Sequence, residues 1–340
     1  MDSLTQIVLG AACGEAVLGK KIGNKALLFG AVGGTIPDLD VFIGSLLYGN
    51  EIDAMLFHRG FMHSILFSIL ACFIFGWITY KLYNSRKRVN STNLKDWVLL
   101  FFWSLFTHPI LDCFTPYGTQ LFAPFSNYRV AFNNIAVADP FYTLPFLICI
   151  IIVMFFKRTS INRKKWLRYG FIISSTYMFF TVCNKFYIDY LFRETLKDKQ
   201  IEVSRFSSQP TILNNFLWYA IADTEADYYV GYYSLFDETN RFTNWNKISK
   251  ERIIDLVNFP DLESLTWFSN DYYNVIKVDV NNYEYLDLRY PFLNPDDLTS
   301  ALFKLKIYKD KNRLNMKGFK PETDKMDGFI GQLTKRIFNN

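Results

Sequence analysis

The chain contains three histidines, and each lies near another side chain of a kind that binds metal ions. His58 and His63 are five residues apart in FHRGFMHS, and His108 precedes Asp112 by four residues in THPILDC. Imidazole and carboxylate groups together suit zinc or a similar divalent ion. The positions of the histidines therefore predict a metal site.

The pair in THPILDC has two interpretations. Residues four apart lie on one face of a helix, so His108 and Asp112 can contact one ion, and Asp112 can bridge to a second. Pro109 lies between them, and proline bends or starts a helix more readily than it continues one. The alternative is a histidine at a helix end with a capping aspartate.

Two further segments can supply ligands. His58 and His63 have Gly60 between them, a spacing that suits a loop entering a helix. Asp38 and Asp40 follow a proline in IPDLD, so we do not expect regular helix there. Alone, such acids would only mark a membrane surface. Together with three histidines they predict a cation-binding surface.

Composition places these groups in a membrane protein. Of the 340 residues, 50% are hydrophobic, 18% are aromatic and 20% are charged, which is too apolar for an ordinary soluble enzyme and too mixed for a pure membrane bundle. The apolar blocks end near residue 186. We predict an all-α transmembrane bundle of five to six helices over residues 1–186, followed by a small extracytoplasmic α+β domain over residues 187–340.

Six apolar segments are candidates for the helices. A hydrocarbon core of about 30 Å needs roughly 20 mostly apolar helical residues. Five segments reach or approach this length: 26–47, with a break at Pro37, and 61–80, 97–111, 141–156 and 167–186. The sixth, 4–18, is short, carries Glu15 and lacks the features of a removable signal peptide. We interpret it as a short first span or a half-inserted helix.

Basic residues predict the orientation, because Lys and Arg near helix ends accumulate on the cytoplasmic side. Of the 17 basic residues before residue 187, 14 fall in three clusters. The clusters are Lys20, Lys21 and Lys25; Lys81, Arg86, Lys87, Arg88 and Lys95; and Lys157, Arg158, Arg163, Lys164, Lys165 and Arg168. The candidate ligands then lie on the outer face of the inner membrane. If all six segments span it, the C-terminal domain is extracytoplasmic.

Several motifs occur in the same order in a known family. Because of MDSLTQIVLG, IPDLD, FHRGFMHS, THPILDCFTPYGTQLFAPFS and NNIAVADPFYTLPF, residues 1–186 resemble the YdjM-like inner-membrane metal-dependent hydrolases. Longer members of that family also have a C-terminal extension. The resemblance implies a hydrolase related to zinc-dependent phospholipases. Some relatives have a histidine near the start, where this chain has Gln6.

These observations predict a membrane-bound, metal-dependent hydrolase that uses one or two divalent ions, with zinc expected. The predicted metal ligands are His58, His63, His108, Asp112, Asp38 and Asp40. Either Asp38 or Asp40 is alternatively the general base. A bound metal activates water and polarises a substrate oxygen. A site at the outer interface predicts a phosphoester or lipid-like substrate, such as a membrane lipid or a lipid-linked molecule; a soluble extracytoplasmic ester is the alternative.

Four other polar residues have two interpretations each. Arg59 can pair with an anionic substrate group such as a phosphate, or lie at a lipid headgroup. Asp139 can support a ligand, or cap the helix that starts at Pro140. Ser126 and Arg129, in the loop APFSNYR, can position substrate or belong to a segment that anchors the bilayer surface.

The C-terminal part predicts a small α+β domain. Segments 218–222 and 228–236 flank the turn-like DTEAD and predict a hairpin. Further strands are predicted at 275–280, 284–290 and 301–308, and helices at 247–257 and 262–268. With 20 basic and 23 acidic residues after position 186, this part is not expected to bind nucleic acid.

Two functions without hydrolysis stay open on the sequence. A transporter or metal-binding channel could use the same acids and histidines, but it would need polar residues deep within several spans. Here they gather at one end of the apolar segments. The other possibility is a membrane protein whose metal only stabilises the fold. Removing the metal would then lower the stability of the protein, and the protein would turn over no substrate with or without the metal.

Overall fold

The computed structural model describes residues 1–340 except 86–87, 89, 252, 293–299, 318–328 and 339–340. The chain divides into two compact units. The first comprises Met1–Ile43 and Phe57–Val182, and the second comprises Gly44–Leu56 and Cys183–Asn340. The second unit therefore includes a short segment from the N-terminal part of the chain as well as the C-terminal residues.

Helices dominate the N-terminal region, which forms eight α-helices within the described residues. They are α1 (Ser3–Ile22), α2 (Asn24–Thr35), α3 (Asp40–Leu47), α4 (Glu51–Phe57), α5 (Ile65–Tyr83), α6 (Leu94–Asp112), α7 (Pro140–Met154) and α8 (Ile161–Asp198). Short 3₁₀ turns, Pro37–Leu39 and Phe61–His63, come before α3 and α5. All six apolar segments predicted from the sequence are thus helical, and the break predicted at Pro37 is confirmed.

Helix length and hydropathy identify few candidate spans. In the described part of the chain, α5 is the one helix that is long and apolar enough to cross a membrane. The pair formed by α2 and Pro37–Leu47, bent by 43°, would be a second if it counts as one span. On α5, Phe73, Ile74 and Trp77 are each more than half exposed. The prediction that five or six helices cross the membrane stays a prediction.

Glycines bring α1 and α2 into close contact. Gly10 and Gly14 in α1 face Gly30 and Gly34 in α2. A Cβ on Gly14 would lie 2.2 Å from the carbonyl oxygen of Ala26, and a Cβ on Gly30 would lie 2.2 Å from that of Gly10. Small residues four apart permit this approach of two helix backbones in membrane proteins. The contact leaves no room for a side chain at these positions.

Helix α6 continues through Pro109, although the sequence indicated a bend or a helix start there. Because proline has no N–H, the carbonyl oxygen of Leu105, four residues earlier, lacks its helical donor. The Ser68 hydroxyl on α5 lies 3.2 Å from this oxygen and 3.1 Å from the carbonyl oxygen of Ser64. The Ser64 oxygen already accepts from the backbone N–H of Ser68, so the hydroxyl proton is available to Leu105. A neighbouring side chain that satisfies the freed carbonyl lets an apolar helix tolerate proline. His108 and Asp112 therefore lie on one continuous helix.

Apolar clusters fill the interior of the first unit. One cluster includes Leu111, Tyr142 and Phe146, from α6 and α7. Another surrounds Trp97 and Phe101 of α6. Since α6 contributes to both, its position, and that of the polar residues at its end, depends on the packing of the whole unit.

Two antiparallel four-stranded sheets form most of the C-terminal domain. The first has the order β1 (Arg205–Pro210), β2 (Leu217–Asp223), β3 (Asp227–Ser234) and β4 (Thr243–Ser249); the second has the order β5 (Tyr273–Lys277), β6 (Asn282–Asp287), β7 (Lys304–Asp310) and β8 (Arg313–Met316). Helices α9 (Pro260–Phe268) and α10 (Phe329–Phe338) accompany them. The antiparallel pairing of β2 with β3 confirms the predicted hairpin.

The helix predicted for residues 247–257 is wrong over its first residues, and only a 3₁₀ turn, Ile254–Leu256, forms in the described part of the remainder. The first residues of this segment belong to β4, where Ile248 is buried and pairs with Tyr228 of β3. The pairing with a neighbouring strand outweighs the local preference of the segment, as is common in sheets. The strands predicted at 275–280, 284–290 and 301–308 and the helix at 262–268 overlap β5, β6, β7 and α9. The sequence interpretation missed β1, β4, β8 and α10.

Candidate metal centre

Breaks and ends of helices bring the candidate ligands together in the first unit. The 3₁₀ turn after α2 and the start of α3 carry Asp38 and Asp40. The turn before α5 carries His63. The last turns of α6 carry His108 and Asp112. Three segments that are distant in sequence thus meet at one end of these helices.

The first cluster contains Asp38, His63 and His108. Nε2 of His63 lies 3.1 Å from Nε2 of His108, and Oδ1 of Asp38 lies 3.4 Å from each nitrogen. Oδ2 of Asp112 lies 3.5 Å from His63 Nε2 and 3.6 Å from His108 Nε2. Ligand atoms at roughly 2.0–2.1 Å from a tetrahedral zinc ion are about 3.3–3.4 Å apart. The three separations within this cluster suit such an ion, and Asp112 Oδ2 lies beside both histidines although it is not part of the cluster.

The other ring nitrogens determine which atoms face the cluster. His108 Nδ1 lies 2.6 Å from the carbonyl oxygen of Gly34, which can only accept, so this nitrogen carries a proton. His63 Nδ1 lies 2.9 Å from Oδ2 of Asp40, an ion-pair distance without hydrogen-bond geometry. When both rings are neutral and protonated on Nδ1, their Nε2 lone pairs face each other. A cation stabilises that arrangement, and outer partners of this kind orient metal-binding imidazoles.

Asp112 provides a second test of fit to a metal ion. Its side chain is 1% exposed, and its Oδ2 accepts no hydrogen bond from the residues that the structure describes. Oδ1 accepts from Gln6 Nε2 at 2.9 Å and contacts the amino group of Met1. Arg59 Nε lies 3.3 Å from Oδ2 without hydrogen-bond geometry. Because an unsatisfied buried carboxylate oxygen is costly, a cation would be a suitable partner.

A second cluster contains Asp40, His58 and His63, and so shares His63 with the first. Asp40 is fully buried. Its Oδ1 lies 2.8 Å from His58 Nδ1, and its Oδ2 accepts from the backbone N–H of Arg59 at 3.0 Å. Burial lowers the pKa of His58 and favours the neutral ring, which is the form that binds metals. Asp40 contacts both histidines on the Nδ1 side.

Arg59 is buried, with 4% of its surface exposed, and does not lie at an open surface. Its backbone has φ of 62°, in the left-handed region that side chains disfavour. Nη1 donates to Thr115 Oγ1 at 2.9 Å, and the guanidinium lies 4.7 Å from the centre of the Tyr117 ring. Arg129 lies 5.0 Å from the same ring, and the His58 ring lies 5.5 Å from it. Two cations thus converge on one aromatic ring beside the histidines.

Asp139 and Ser126 lie outside both clusters. Oδ1 of Asp139 accepts from the N–H of Phe141 at the start of α7, which confirms the helix-cap interpretation. Its Oδ2 accepts from the Tyr177 hydroxyl at 2.9 Å, and burial raises the pKa of this carboxyl group. Ser126 Oγ accepts from the N–H of Tyr128 at 3.2 Å.

Some residues of the centre were not predicted from the sequence. Gln6 donates to Asp112 and also to the carbonyl oxygen of His108, at 3.2 Å. The four-residue spacing of Gly30 and Gly34 was a usable signal, because it indicates a close helix contact. No pattern in the sequence marks Thr115 as a partner of Arg59.

A helical unit that carries an apolar helix with an exposed face and a buried histidine–carboxylate cluster has the features of a membrane protein with a candidate metal centre. The chain belongs to the YdjM inner membrane protein family, whose family model matches residues 1–188. This confirms the family predicted from the motifs. Membership supports association with the inner membrane.

One curated relative has no assigned function. The uncharacterized protein YfhP of Bacillus subtilis (strain 168) is 32% identical over 162 residues, which are 45% of this chain and 46% of YfhP. The chain thus spans about half the length of this curated relative. No solved structure matches the chain significantly.

Proposed function

We propose that this chain is a multi-pass, membrane-bound, metal-dependent hydrolase that acts on a phosphoester or lipid-like substrate at the outer membrane interface. The observation that carries the proposal is the pair of Nε2 atoms of His63 and His108, 3.1 Å apart, with carboxylate oxygens of Asp38 and Asp112 at 3.4–3.6 Å. Imidazole nitrogens and carboxylate oxygens are the donor types of a divalent-ion site, and Asp38, His63 and His108 offer three of them within 4.8 Å of one another.

The ligand set favours zinc, and we assign one ion to the first cluster. His63, His108, Asp38 and Asp112 would hold it. A bound ion of this kind supplies a Lewis acid that polarises a substrate oxygen and activates water. Asp40 would act as a positioning residue, because it contacts Nδ1 of both His58 and His63 and is itself buried. His58, 23% exposed, would face the substrate or bind a second ion with Asp40.

Accessibility distinguishes the carboxylates. The Asp38 side chain is 25% exposed, whereas those of Asp40 and Asp112 are 0% and 1% exposed. A general base must reach the proton that it accepts. Of these three residues, we therefore assign the role of proton acceptor to Asp38, through its Oδ2, because its Oδ1 is the oxygen that faces the two histidines.

Arg59, Tyr117 and Arg129 would bind the anionic part of the substrate. Arg59 Nε lies 3.3 Å from Asp112 Oδ2 but makes no hydrogen bond within the described residues. Guanidinium groups form directional, charge-assisted hydrogen bonds to phosphate oxygens, so a phosphoester suits this position better than a neutral ester does.

The aromatic loop that follows Tyr117 supports a lipid-like substrate. Phe122, Phe125, Tyr128 and Phe132 are 50–83% exposed. Aromatic side chains concentrate at the level of lipid headgroups. A loop of this composition next to the candidate centre would let a membrane lipid approach laterally.

The experiment combines metal analysis with turnover. Purified full-length protein is assayed on phospholipid vesicles and on a soluble phosphodiester, before and after chelation and after zinc is restored. A His108→Ala/Asp112→Ala double variant is measured in parallel. We expect a stoichiometric divalent ion and metal-dependent turnover in the wild type, and neither in the variant. A wild type without stoichiometric metal, or an active variant, would contradict the proposal. Bound metal without turnover would favour the transporter or metal-binding alternative.

The outer location has its own test. A reporter fused after residue 340 should be extracytoplasmic if the helices cross the membrane as the basic clusters indicate. A cytoplasmic reporter would place the candidate centre on the inner face.

A further inference from the structure

Three helices of the first unit connect the candidate metal centre with a second polar region. α1 runs from Gln6, which contacts Asp112, to Lys20, fourteen residues and about 21 Å further on. α5 starts just after His63 and ends at Tyr83, whereas α6 runs in the opposite direction and ends at Asp112. The far ends of all three helices carry basic residues.

A cavity of about 600 Å³ lies at these far ends. Its lining includes the side chains of Lys20, Lys21 and Arg158, the Tyr80 ring and the polar residues 90–93. None of the described lining residues is acidic. The cavity therefore combines three cations with hydroxyl and amide groups, which is the composition of an anion site.

Local contacts position the cations, and one of the three, Lys21, is paired with a carboxylate, whereas Lys20 and Arg158 have no carboxylate partner among the described residues. Lys21 Nζ lies 2.5 Å from Oδ2 of Asp96, and Arg158 Nη1 donates to the carbonyl oxygen of Lys21 at 2.5 Å. The Lys20 ammonium lies within hydrogen-bond reach of Lys164, and this contact and its like charge lower the pKa of Lys164. An anion near this pair would relieve the repulsion between the two ammonium groups.

We propose that this cavity binds a phosphate-bearing anion, and that the anion is the headgroup of an anionic membrane lipid. The lipid is favoured over a soluble phosphate because Trp77 and Leu82, on either side of Tyr80 in α5, are 54% and 72% exposed. Acyl chains can lie along this apolar surface while the headgroup enters the cavity. Basic segments next to apolar helices attract anionic lipids of the cytoplasmic leaflet. This site is independent of the proposed hydrolysis.

Native mass spectrometry of the full chain in detergent, titrated with phosphatidylglycerol or phosphatidylcholine, tests the proposal. The test variant is Lys20→Gln/Arg158→Gln, and the matched control is Lys165→Gln/Arg168→Gln, which removes the same charge from exposed residues outside the lining. We expect phosphatidylglycerol to bind roughly 10- to 30-fold more weakly to the test variant, since each basic residue contributes about 1 kcal/mol near an anionic lipid. The control should bind phosphatidylglycerol much more tightly than the test variant does, because Lys165 and Arg168 do not line the cavity.

Further arms make the outcome decisive. Lys20→Arg keeps the charge and should keep binding, which separates the loss of charge from a folding defect. Competition between millimolar inorganic phosphate and phosphatidylglycerol would support a shared phosphate site, whereas binding of inorganic phosphate without binding of phosphatidylglycerol would contradict the assignment to a lipid. Equal binding of phosphatidylglycerol and phosphatidylcholine by the wild type, or equal losses in the test and control variants, would overturn the proposal.

Discussion

Charged side chains lie at both ends of the helical unit, but they are buried at one end and more exposed at the other. At the candidate metal centre, the side chains of Asp40, His63, His108 and Asp112 are 0–1% exposed. At the basic end, the Lys21 side chain is 43% exposed and pairs with Asp96.

Burial decides what each end requires. Water stabilises an exposed lysine whether or not a ligand is present, so surface ion pairs contribute little. A buried carboxylate oxygen without a donor needs a partner inside the protein. The metal-centre end should therefore depend strongly on its ligand, and the basic end weakly.

Asp112→Asn and Asp96→Asn make the same chemical change at the two ends, and we expect the largest contrast between them. An amide in place of the buried carboxylate removes a charged ligand atom, so metal affinity should fall by at least about 100-fold, beyond the range found for outer residues. Asp96→Asn should keep the metal. Elemental analysis after dialysis against a graded chelator series measures both. Equal retention of metal by the two variants would remove the distinction between the ends.

Asp40→Asn tests the assignment of Asp40 as a positioning residue. The variant keeps the shape of the side chain but loses the carboxylate beside Nδ1 of His58 and His63. We expect affinity to fall about 10- to 100-fold, with stoichiometric binding recovered at high metal concentration. Isothermal titration with zinc gives both quantities. Loss of the site at any metal concentration would instead make Asp40 a ligand.

Gly30→Ala should destabilise the helix contact from which Gly34 and its carbonyl oxygen extend to His108. The added Cβ would lie 2.2 Å from the carbonyl oxygen of Gly10. Overpacking of this kind costs about 1–3 kcal/mol. The control is Gly331→Ala in α10, where a Cβ meets nothing within 4 Å. Thermal unfolding in detergent compares the two variants. An unchanged unfolding midpoint for Gly30→Ala would show that α1 and α2 can move apart without loss of stability.

Ser68→Ala should have the smallest effect, about 1 kcal/mol, because it removes one hydroxyl donor. The stability is expected to fall because the carbonyl oxygen of Leu105, which has no backbone donor at Pro109, would also lose the Ser68 hydroxyl. In a Pro109→Ala background, the new backbone N–H would satisfy that oxygen, so Ser68→Ala should cost less. A double-mutant cycle by thermal unfolding measures this coupling. Additive costs would contradict the role assigned to Ser68.

Local sequence patterns predicted the elements well where a single helix or hairpin was sufficient. The apolar segments are helices, the break at Pro37 occurs where it was expected, and the hairpin across DTEAD forms. The prediction for residues 247–257 was wrong because a strand partner, Tyr228 opposite Ile248, outweighed local preference. At Pro109 the sequence predicted a bend or a helix start, but the helix continues. The backbone donor that proline lacks is replaced by the hydroxyl of Ser68, a residue 41 positions earlier in the sequence.

The sequence by itself determined which residue types occur at which helix ends, because hydropathy and the positions of Lys, Arg, His and Asp are read along one chain. Tertiary structure alone decided which atoms face each other. The Nε2 pair of His63 and His108, the orientation of both rings by Gly34 and Asp40, and the contact of Gln6 with Asp112 all join segments distant in sequence. Such contacts depend on close helix packing, which a local pattern does not specify.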